Sequence, residues 1–317
     1  MLTEAVQAET ETDKEDIFAE RMTLYERYEA LTMVPWYYLA AVDQYERNIA
    51  NVRDDIREPE GTIAIQFPKS WWAGELNPNP DDRFPDTIQF FGGFGMDGDG
   101  DGYAEADNDD DVLYAMSQWL SRYGVTEDDF RIALWEYYGR DLTVQVIHSI
   151  ADIYRHFGTL DLDKNAFPLA LEYNYSYRST WGDRRGWGGR RIHEGTDLFA
   201  DYGTPVKSTT YGKIEVMGWN RYGGWRIGIR DIHNNYHYYA HLSRFADDVK
   251  AGQIVEPGTI IGYVGSTGYG KEGTSGKFPP HLHYGIYKDN GRTEWSYDPY
   301  PSLRLWEKEE KQRQKNA

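Results

Sequence analysis

Four histidines and one aspartate fall on short, patterned segments between residues 190 and 284 of a chain that holds only eight histidines. A catalytic Zn²⁺ takes three protein ligands of the His, Asp or Glu kind and leaves a fourth position for water, whose pKa it lowers to about 7. Each histidine taken alone could be a core or surface residue, but the set at these spacings predicts a metal site. The segments are His193-Glu194-Gly195-Thr196-Asp197, Tyr238-Tyr239-Ala240-His241 and His281-Leu282-His283.

The spacings favour strands and turns around these residues over a helix. His193 and Asp197 are four residues apart, but Gly195 lies between them. The His-x-x-x-His helix of the commoner zinc proteases, with its own Glu base, is absent from the sequence. His281 and His283 are two residues apart, which on a strand places both imidazoles on one face. One of them can therefore bind metal while the other reaches the attacking water or the substrate oxygen.

These segments resemble the LytM/lysostaphin-type zinc endopeptidases of peptidoglycan, the M23 family. The resemblance runs from about Trp181 to Ser302 and includes the stretch Gly262 to Gly268 before the last histidine pair. Within the family, the chain looks most like the sporulation L-Ala-D-Glu endopeptidases of bacilli. The resemblance implies a zinc-dependent enzyme that hydrolyses a peptide bond in the stem peptide or cross-bridge of the bacterial cell wall.

The same resemblance implies a role for each residue of the set. The zinc ligands would be His193, Asp197 and His283. His241 and His281 would be the two catalytic histidines that are not ligands, and they would orient the water and stabilise the oxyanion. An alternative is a non-catalytic wall-binding activator of another hydrolase. Such relatives generally lack one or more ligands, whereas all five positions are filled here.

Four arginines come shortly before the first candidate ligand, namely Arg184, Arg185, Arg190 and Arg191. Arginine forks bind carboxylates bidentately, and a stem peptide has a free carboxylate on its D-Glu residue. The cluster therefore favours cleavage beside D-Glu, although a basic surface turn would give the same pattern.

Composition separates the two halves of the chain. The net charge is -18, and residues 1–20 carry seven acids against one lysine while residues 97–111 carry eight acids and no base. Residues 181–302 are balanced, with thirteen acids and fifteen bases. We expect peptidoglycan and no nucleic acid as partner, because phosphate binding requires clustered Lys and Arg. The sequence has no cysteine, which excludes disulfides and thiolate metal sites.

The sequence contains no run of about 18 apolar residues that could span a membrane, and no signal peptide begins at Met1. A wall hydrolase must leave the cytoplasm. We therefore expect a secreted protein of the cell wall or spore cortex, in a mature form without its upstream export segment. The oligomeric state leaves no sign in the sequence.

The periodicity of apolar residues predicts an α+β chain of two domains, in line with its length of 317 residues. Residues 18–157 show apolar positions every three to four residues and are predicted to be mainly α-helical. From 181 to 302 the period is two between Gly-containing turns, which predicts an antiparallel β-rich domain. Residues 1–17 are predicted to be an acidic disordered lead-in, 158–180 a linker and 303–317 a charged, solvated tail.

One further histidine lies on a predicted strand of the second domain. On the strand from Tyr236 to His241, His237 shares a face with His241 by simple alternation. We predict that it lies in the groove wall and does not bind metal.

The first domain carries a resemblance of its own. The segment Gly61 to Trp71 resembles the Gly-x-x-Gln-Phe-x-Pro-x-x-Trp element of lytic transglycosylases, and Phe91 to Gly95 leads into an acidic loop as it does there. Together with the helices before them, these segments cover roughly residues 20–125. They resemble the lysozyme-like fold of the membrane-bound B-type lytic transglycosylases.

By this resemblance, Glu46 falls where that family keeps its single catalytic acid. Partial burial at the end of an apolar helix raises the pKa of a glutamate and suits it to be a general acid. Arg47 stands where the family usually has Ser or Thr, and a neighbouring guanidinium can lower that pKa. Two interpretations of Glu46 therefore remain: it is the catalytic acid of a bifunctional or mainly glycan-cleaving enzyme, or it is a surface glutamate without a catalytic role.

The acidic loop has the alternating oxygens and glycines of an EF-hand-like Ca²⁺ site, from Asp97 to Tyr103. Position twelve of a standard loop is Asn108, which cannot be the bidentate Glu. A fifteen-residue variant, found in the resembling transglycosylases, would end on Asp111. A disordered acidic loop is the alternative. The candidate ligands are Asp97, Asp99, Asp101, Tyr103 and Asp111.

Overall fold

The structure is a computed structural model that describes residues 2–57, 59, 61–186 and 190–316, with only the backbone described for 2–13 and 316. The outermost residues of the predicted lead-in and tail, Met1 and Ala317, lie outside the described residues. The chain divides into two compact units, Met1–Asp161 and Leu162–Ala317. No helix in the described part of the chain combines the length and apolar character that a membrane crossing requires.

Unit 1 is helical, as the three- to four-residue period predicts. Helix α6 begins with a capping box between Thr126 and Asp129, and α6 and α7 end at Gly139 and Gly158 in the left-handed conformation that favours glycine. The helices are α1 (Leu2–Thr32), α2 (Trp36–Ala50), α3 (Lys69–Ala73), α4 (Pro85–Phe90), α5 (Asp109–Leu120), α6 (Glu127–Tyr138) and α7 (Asp141–Phe157), with a 3₁₀ turn at Ser121–Tyr123.

Helix α1 begins at Leu2, where the sequence predicts a disordered lead-in over 1–17, so that expectation is corrected. The segment is acidic, but its four Glu, two Ala and one Gln are good helix formers. Further along α1, a buried ion pair joins it to α2: Arg21 Nη2 donates to Asp43 Oδ2 at 2.7 Å. The hydroxyl of Tyr25 donates to the same oxygen at 2.6 Å, which satisfies a carboxylate that is wholly buried.

Unit 2 is a β-rich domain with antiparallel strand pairs, which confirms the predicted fold class for this half. Within the described part of the chain, ten strands form one sheet with the order β1-β4-β11-β8-β7-β6-β9, to which β10, β5 and β12 are added at the sides. The strands are β1 (Tyr175–Tyr177), β2 (Arg184–Arg185), β3 (Arg191–Ile192), β4 (Thr196–Ala200), β5 (Pro205–Lys207), β6 (Gly212–Asn220), β7 (Gly224–Arg230), β8 (Asn235–Phe245), β9 (Ile254–Val255), β10 (Ile260–Val264), β11 (His281–Asp289) and β12 (Glu294–Tyr297), followed by α8 (Tyr300–Asn316).

The core of unit 2 includes two segments that the sequence assigns to its periphery. The predicted linker 158–180 contributes buried Phe167 and Leu169 and strand β1, which pairs with β4. The predicted solvated tail belongs to α8, whose Leu303 and Trp306 are buried in the same core. Both expectations are corrected. Isolated apolar residues without a sustained period mark these segments, and such a pattern does not identify packing against a distant sheet.

Candidate metal centre and catalytic cleft

The register of three adjacent strands brings the candidate site residues together. Strand β11 lies between β4 and β8, and His283 is paired with Asp197 on one side and with Ala240 on the other. His281 is paired with Phe199 of β4. Both histidines of β11 line one cleft, as the alternation of a strand predicts.

His193 reaches the same place through the turn that joins β3 to β4. A Cβ added at Gly195 in this turn would lie 2.6 Å from the carbonyl oxygen of Tyr284 and 2.7 Å from the His283 ring. Only glycine allows the chain to pass so close to β11. Gly195, between His193 and Asp197, is therefore required for steric reasons.

Three ligand atoms converge at this point. His193 Nε2 lies 2.9 Å from His283 Nδ1 and 3.0 Å from Asp197 Oδ1, and the last two atoms are 3.1 Å apart. A tetrahedral Zn²⁺ with bonds of about 2.0 to 2.1 Å has ligand atoms roughly 3.3 Å apart. The spacing and the donor set of two imidazoles and one carboxylate fit zinc.

Backbone carbonyls orient three of the four histidines. In each of them Nδ1 carries the proton and donates it to a carbonyl oxygen, which leaves the lone pair of Nε2 directed away from that contact. For His193 this nitrogen belongs to the ligand group. The donor and acceptor pairs are His193 with Thr180 (2.8 Å), His241 with Thr267 (2.7 Å) and His281 with Pro279 (2.9 Å).

Burial also fixes the charges of these groups. It lowers the pKa of His241 and His281, so both imidazoles are neutral at neutral pH and can accept a proton. Burial alone would raise the pKa of Asp197, but its hydrogen bonds with His193 and His283 hold that pKa well below its ordinary value. The carboxylate is therefore ionised, as a metal ligand must be.

A cleft of about 390 Å³ opens over these residues. Its charged lining residues, among those described, are Arg185, Arg191, Glu194 and Asp197. Aromatic side chains form much of the remaining wall, as is usual in ligand-binding clefts. They include Tyr222, Tyr238, Tyr269, Phe278 and Tyr287.

His237 does not lie in the groove wall, so the prediction for this residue is wrong. It is buried on the core side, where its two ring nitrogens contact Asp231 (2.9 Å) and the Tyr284 hydroxyl (2.7 Å). Simple alternation fails because His241 has a left-handed backbone with φ of 63°, which changes the side-chain direction at that end of β8. Tyr238 is the residue of this segment that lines the cleft together with His241.

The sequence gives no role to two supporting residues, Thr180 and Thr267, and does not reveal one contact of Arg185. The carbonyl oxygen of Thr180 accepts from His193 Nδ1 at 2.8 Å, and its hydroxyl oxygen accepts from Asp197 N at 3.1 Å. Thr267 holds His241, and its position inside the Gly262 to Gly268 stretch was the one available signal. Arg185 donates to Asp197 Oδ2 at 2.6 Å, a pairing that spacing alone does not reveal.

In unit 1, Glu46 is half-buried on α2 and accepts a hydrogen bond from the Tyr138 hydroxyl at 2.5 Å. Burial raises its pKa to about 7, against the opposing effect of that hydrogen bond. Arg47 does not contact this carboxylate: it donates to Asp43 Oδ2 (3.3 Å) and to the Thr62 carbonyl (2.9 Å). The adjacent guanidinium therefore does not hold Glu46 in its charged form.

A separate cavity of about 400 Å³ lies in unit 1. It is lined in part by Gln66, Phe67 and Lys69 from the segment that resembles the transglycosylase element. Among the described residues, Glu46 is not part of that lining. The structure thus places the candidate acid and the resembling segment in one unit without joining them in one cavity.

The acidic loop brings some of its candidate ligands together. Carboxylate oxygens of Asp97, Asp99 and Asp111 all lie within 4.8 Å of one another. Asp111 is buried, which raises its pKa to about 6, and its oxygens accept from the N–H groups of Gly98 and Glu105.

Two further candidates have other contacts. Asp101 Oδ1 accepts from the N–H of Tyr103 at 2.8 Å, and neither residue belongs to the described group of converging carboxylates. Asn108, the residue at position twelve of a standard loop, is the N-cap of α5 and accepts from Asp110 N and Asp111 N.

Comparison with known proteins agrees with the geometry of the cleft. Residues 191–296 match the model of Peptidase family M23. Over 299 residues the chain is 60% identical to the L-Ala--D-Glu endopeptidase of Bacillus subtilis (strain 168), an alignment that covers 94% of this chain and 92% of that protein.

Less similar relatives match a shorter part of the chain. Lysostaphin of Staphylococcus staphylolyticus is 39% identical over 117 residues, which cover 36% of this chain and 22% of that protein. A structure of the catalytic domain of lysostaphin from Staphylococcus simulans is 35% identical, covers 42% of this chain and 92% of its own, and has a TM-score of 0.33. The identity and coverage of the Bacillus subtilis relative decide the matter: this chain belongs to peptidase family M23, the zinc-dependent peptidoglycan endopeptidases.

Proposed function

We propose that this protein hydrolyses the bond between L-Ala and D-Glu in the stem peptide of peptidoglycan. The observation that carries the proposal is the cleft, in which three ligand atoms converge beside two neutral histidines and two arginines. The relative that aligns along nearly the whole chain is an L-Ala--D-Glu endopeptidase, which supports the same bond. Because the substrate is a wall polymer, we propose action outside the cytoplasm, in the cell wall or spore cortex.

We propose that His193, Asp197 and His283 are the zinc ligands. When bound there, zinc would polarise the scissile carbonyl and activate water. His241 and His281 would assist proton transfer, because each is neutral and has Nδ1–H engaged by a carbonyl. The unprotonated Nε2 can therefore accept a proton and, once protonated, donate to the developing oxyanion. Their rings lie 4.8 Å apart between centroids, so both can act on one carbonyl group.

Digestion of purified peptidoglycan, followed by mass spectrometry, tests the bond. We expect new amino termini on D-Glu and free L-Ala carboxyl ends. Products cut only in the cross-bridge would contradict the proposed bond. Anhydro-muramyl ends alone would favour a glycan-cleaving enzyme, and intact peptidoglycan would favour a wall-binding activator.

We also propose a second, glycan-directed role for unit 1, as a lysozyme-like domain with Glu46 as its acid. The observation in its favour is the carboxyl group that burial keeps protonated up to about pH 7, with Arg47 turned away from it. A lytic transglycosylase needs only one such group, which acts first as acid on the leaving oxygen and then as base toward the muramyl 6-hydroxyl.

We predict that the His283→Ala protein releases anhydro-muramyl products from peptidoglycan, and that the added change Glu46→Gln abolishes them. The activity should be present below pH 7 and decline as pH rises through about 7, because the acid form of Glu46 is lost there. Chromatography of the products across pH measures both effects. Products that persist in the double variant would remove Glu46 from the mechanism, and a lack of products would leave unit 1 as a positioning domain.

Thermal unfolding gives an independent measure of the same carboxyl group. A folded-state pKa that is raised means stability that is present at low pH and lost as pH rises through about 7. The Glu46→Gln protein should therefore have the same melting temperature as the parent near pH 4 and a higher melting temperature than the parent at pH 8.

We propose, finally, that the loop of Asp97, Asp99 and Asp111 binds Ca²⁺, with Asp101 and the carbonyl of Tyr103 as ligands that move in when the ion binds. Three carboxylates that converge from separate positions of the loop support the proposal. Ca²⁺ takes six to eight oxygens, so water would supply the rest.

Calcium should raise the melting temperature of the protein by several degrees, because an ion at about 100 times its Kd stabilises the folded state by about 2.7 kcal/mol. The Asp99→Asn protein should lose this response, whereas Asp107→Asn, an exposed acid of the same loop outside the converging group, should keep it. Identical melting curves with calcium and with chelator would refute the site.

A further inference from the structure

The short hairpin of β2 and β3 places two arginines directly opposite each other. In its register Arg185 is paired with Arg191, and Arg184 with Ile192. Arg185 and Arg191 both line the cleft, whereas Arg184 does not. Like charges directly opposite on antiparallel strands destabilise the pair. The repulsion between these two guanidinium groups must therefore be offset by negatively charged groups nearby.

One of the two arginines has its anion inside the protein. Arg185 Nη2 donates to Asp197 Oδ2 at 2.6 Å, while Oδ1 of the same carboxylate is the atom in the ligand group. Arg185 is therefore a positioning residue for a metal ligand. The Arg185 side chain is 32% exposed and lines the cleft, so the donors that Asp197 does not occupy are open to an anion bound there.

The other arginine has no such anion. Arg191 is exposed, with its guanidinium carbon 5.6 Å from the centroid of the Tyr222 ring. In the part of the chain that the structure describes, no carboxylate forms an ion pair with it within 4.0 Å. The acid nearest in sequence that lines the cleft, Glu194, instead accepts from the Tyr287 hydroxyl at 3.3 Å.

We propose that Arg191, with the unused donors of Arg185, binds the free α-carboxylate of the residue on the leaving-group side of the scissile bond. The inference rests on the proposed cleavage between L-Ala and D-Glu. The stem peptide continues through the γ-carboxyl of D-Glu, so its α-carboxylate is free and is attached to the same carbon as the scissile nitrogen. An anion so close to the reacting bond must lie beside the metal ligands, and Arg185 contacts one of them.

The proposal predicts discrimination between two nearly isosteric substrates. Guanidinium binds carboxylate through two parallel, charge-assisted hydrogen bonds, and an amide cannot reproduce that pairing. An L-Ala-γ-D-Glu stem peptide with a free α-carboxylate should therefore be cut at least about tenfold more efficiently than the same peptide with an α-amide, which is D-isoglutamine. Most of the difference should appear in KM, because the carboxylate is present in the bound substrate as well as in the transition state.

The experiment uses two synthetic muramyl tripeptides, one with the free α-carboxylate and one with the α-amide. Their kcat/KM values are compared for the parent protein, Arg191→Gln and Arg184→Gln. The Arg191→Gln protein should lose about tenfold or more on the free acid and keep its rate on the amide within about twofold, so that the preference disappears. Arg184→Gln removes the same charge from the same hairpin outside the cleft and should keep the preference. Zinc content and melting temperature should be equal in all three.

Each outcome decides. Equal cleavage of acid and amide by the parent protein, or a preference that survives in Arg191→Gln, would overturn the role of Arg191 while the L-Ala and D-Glu bond is still cut. If neither tripeptide is cut between these residues but intact peptidoglycan is degraded elsewhere, the proposed bond fails, and the inference fails with it.

Discussion

The His283→Ala protein should contain no stoichiometric zinc and should have the peptidase activity of a metal-free sample. His283 supplies one of three proposed ligand atoms that lie 2.9 to 3.1 Å apart. Loss of an outer hydrogen-bond partner already costs a metal site about 10- to 100-fold in affinity, and the loss of a ligand should cost more. Elemental analysis after dialysis and release of new amino termini from peptidoglycan measure the two effects.

A histidine of the same unit provides the control. His233 contacts Asp163 at 2.7 Å on a turn that is not part of the cleft, so His233→Ala should retain both zinc and activity. Full zinc occupancy together with normal activity in His283→Ala would exclude this residue from the ligand set. Loss of zinc in both variants would point to general unfolding, which melting curves would reveal.

The His241→Ala protein should behave in the opposite way with respect to metal. We expect it to keep one zinc per chain while kcat falls by about 10²- to 10⁴-fold, the usual contribution of a positioned acid or base. His241 is not in the ligand group, and burial lowers its pKa so that it is neutral and ready to accept a proton. Zinc content and kcat measured on one preparation separate the two effects.

The contrast between these two variants is the sharpest test of the roles. If His241→Ala loses zinc together with activity, the residue supports the metal site and its catalytic role is withdrawn. If it retains zinc and full kcat, His281 carries the proton transfer alone. A variant of exposed His156 on α7 should match the parent in both measurements.

The sequence predicted that His193, Asp197 and His283 lie together, and they do, because the information for this is local. Two histidines two residues apart on a strand must share a face, and His281 and His283 do. The same rule failed for His237, since one left-handed residue at His241 changes the alternation. Contacts from elsewhere in the chain hold His241 in place. Its backbone N–H donates to the Gly223 carbonyl at 2.7 Å, and its ring donates to the carbonyl of Thr267, which lies 26 residues away.

Long-range packing explains the other failures. Phe167 and Leu169 belong to the core of unit 2, but they stand in a segment without a regular period. The pairing of Arg185 with Arg191 depends on the register of a hairpin, and the positions of the four arginines in the sequence do not predict that register. In unit 1 the helical character follows from local period, whereas the direction of Arg47 follows from its contacts with Asp43 and Thr62.

The contact between His193 and Thr180 also affects where the peptidase domain can be separated from the rest of the chain when genes recombine during evolution. The family match begins at residue 191, yet the carbonyl that orients His193 lies eleven residues earlier, and strand β1 and Phe167 earlier still. A gene fusion that joined the peptidase to a new partner at residue 191 would inherit all three proposed ligands but not the residue that orients one of them. The heritable module therefore starts near Leu162, and recombination within 162–190 should be selected against.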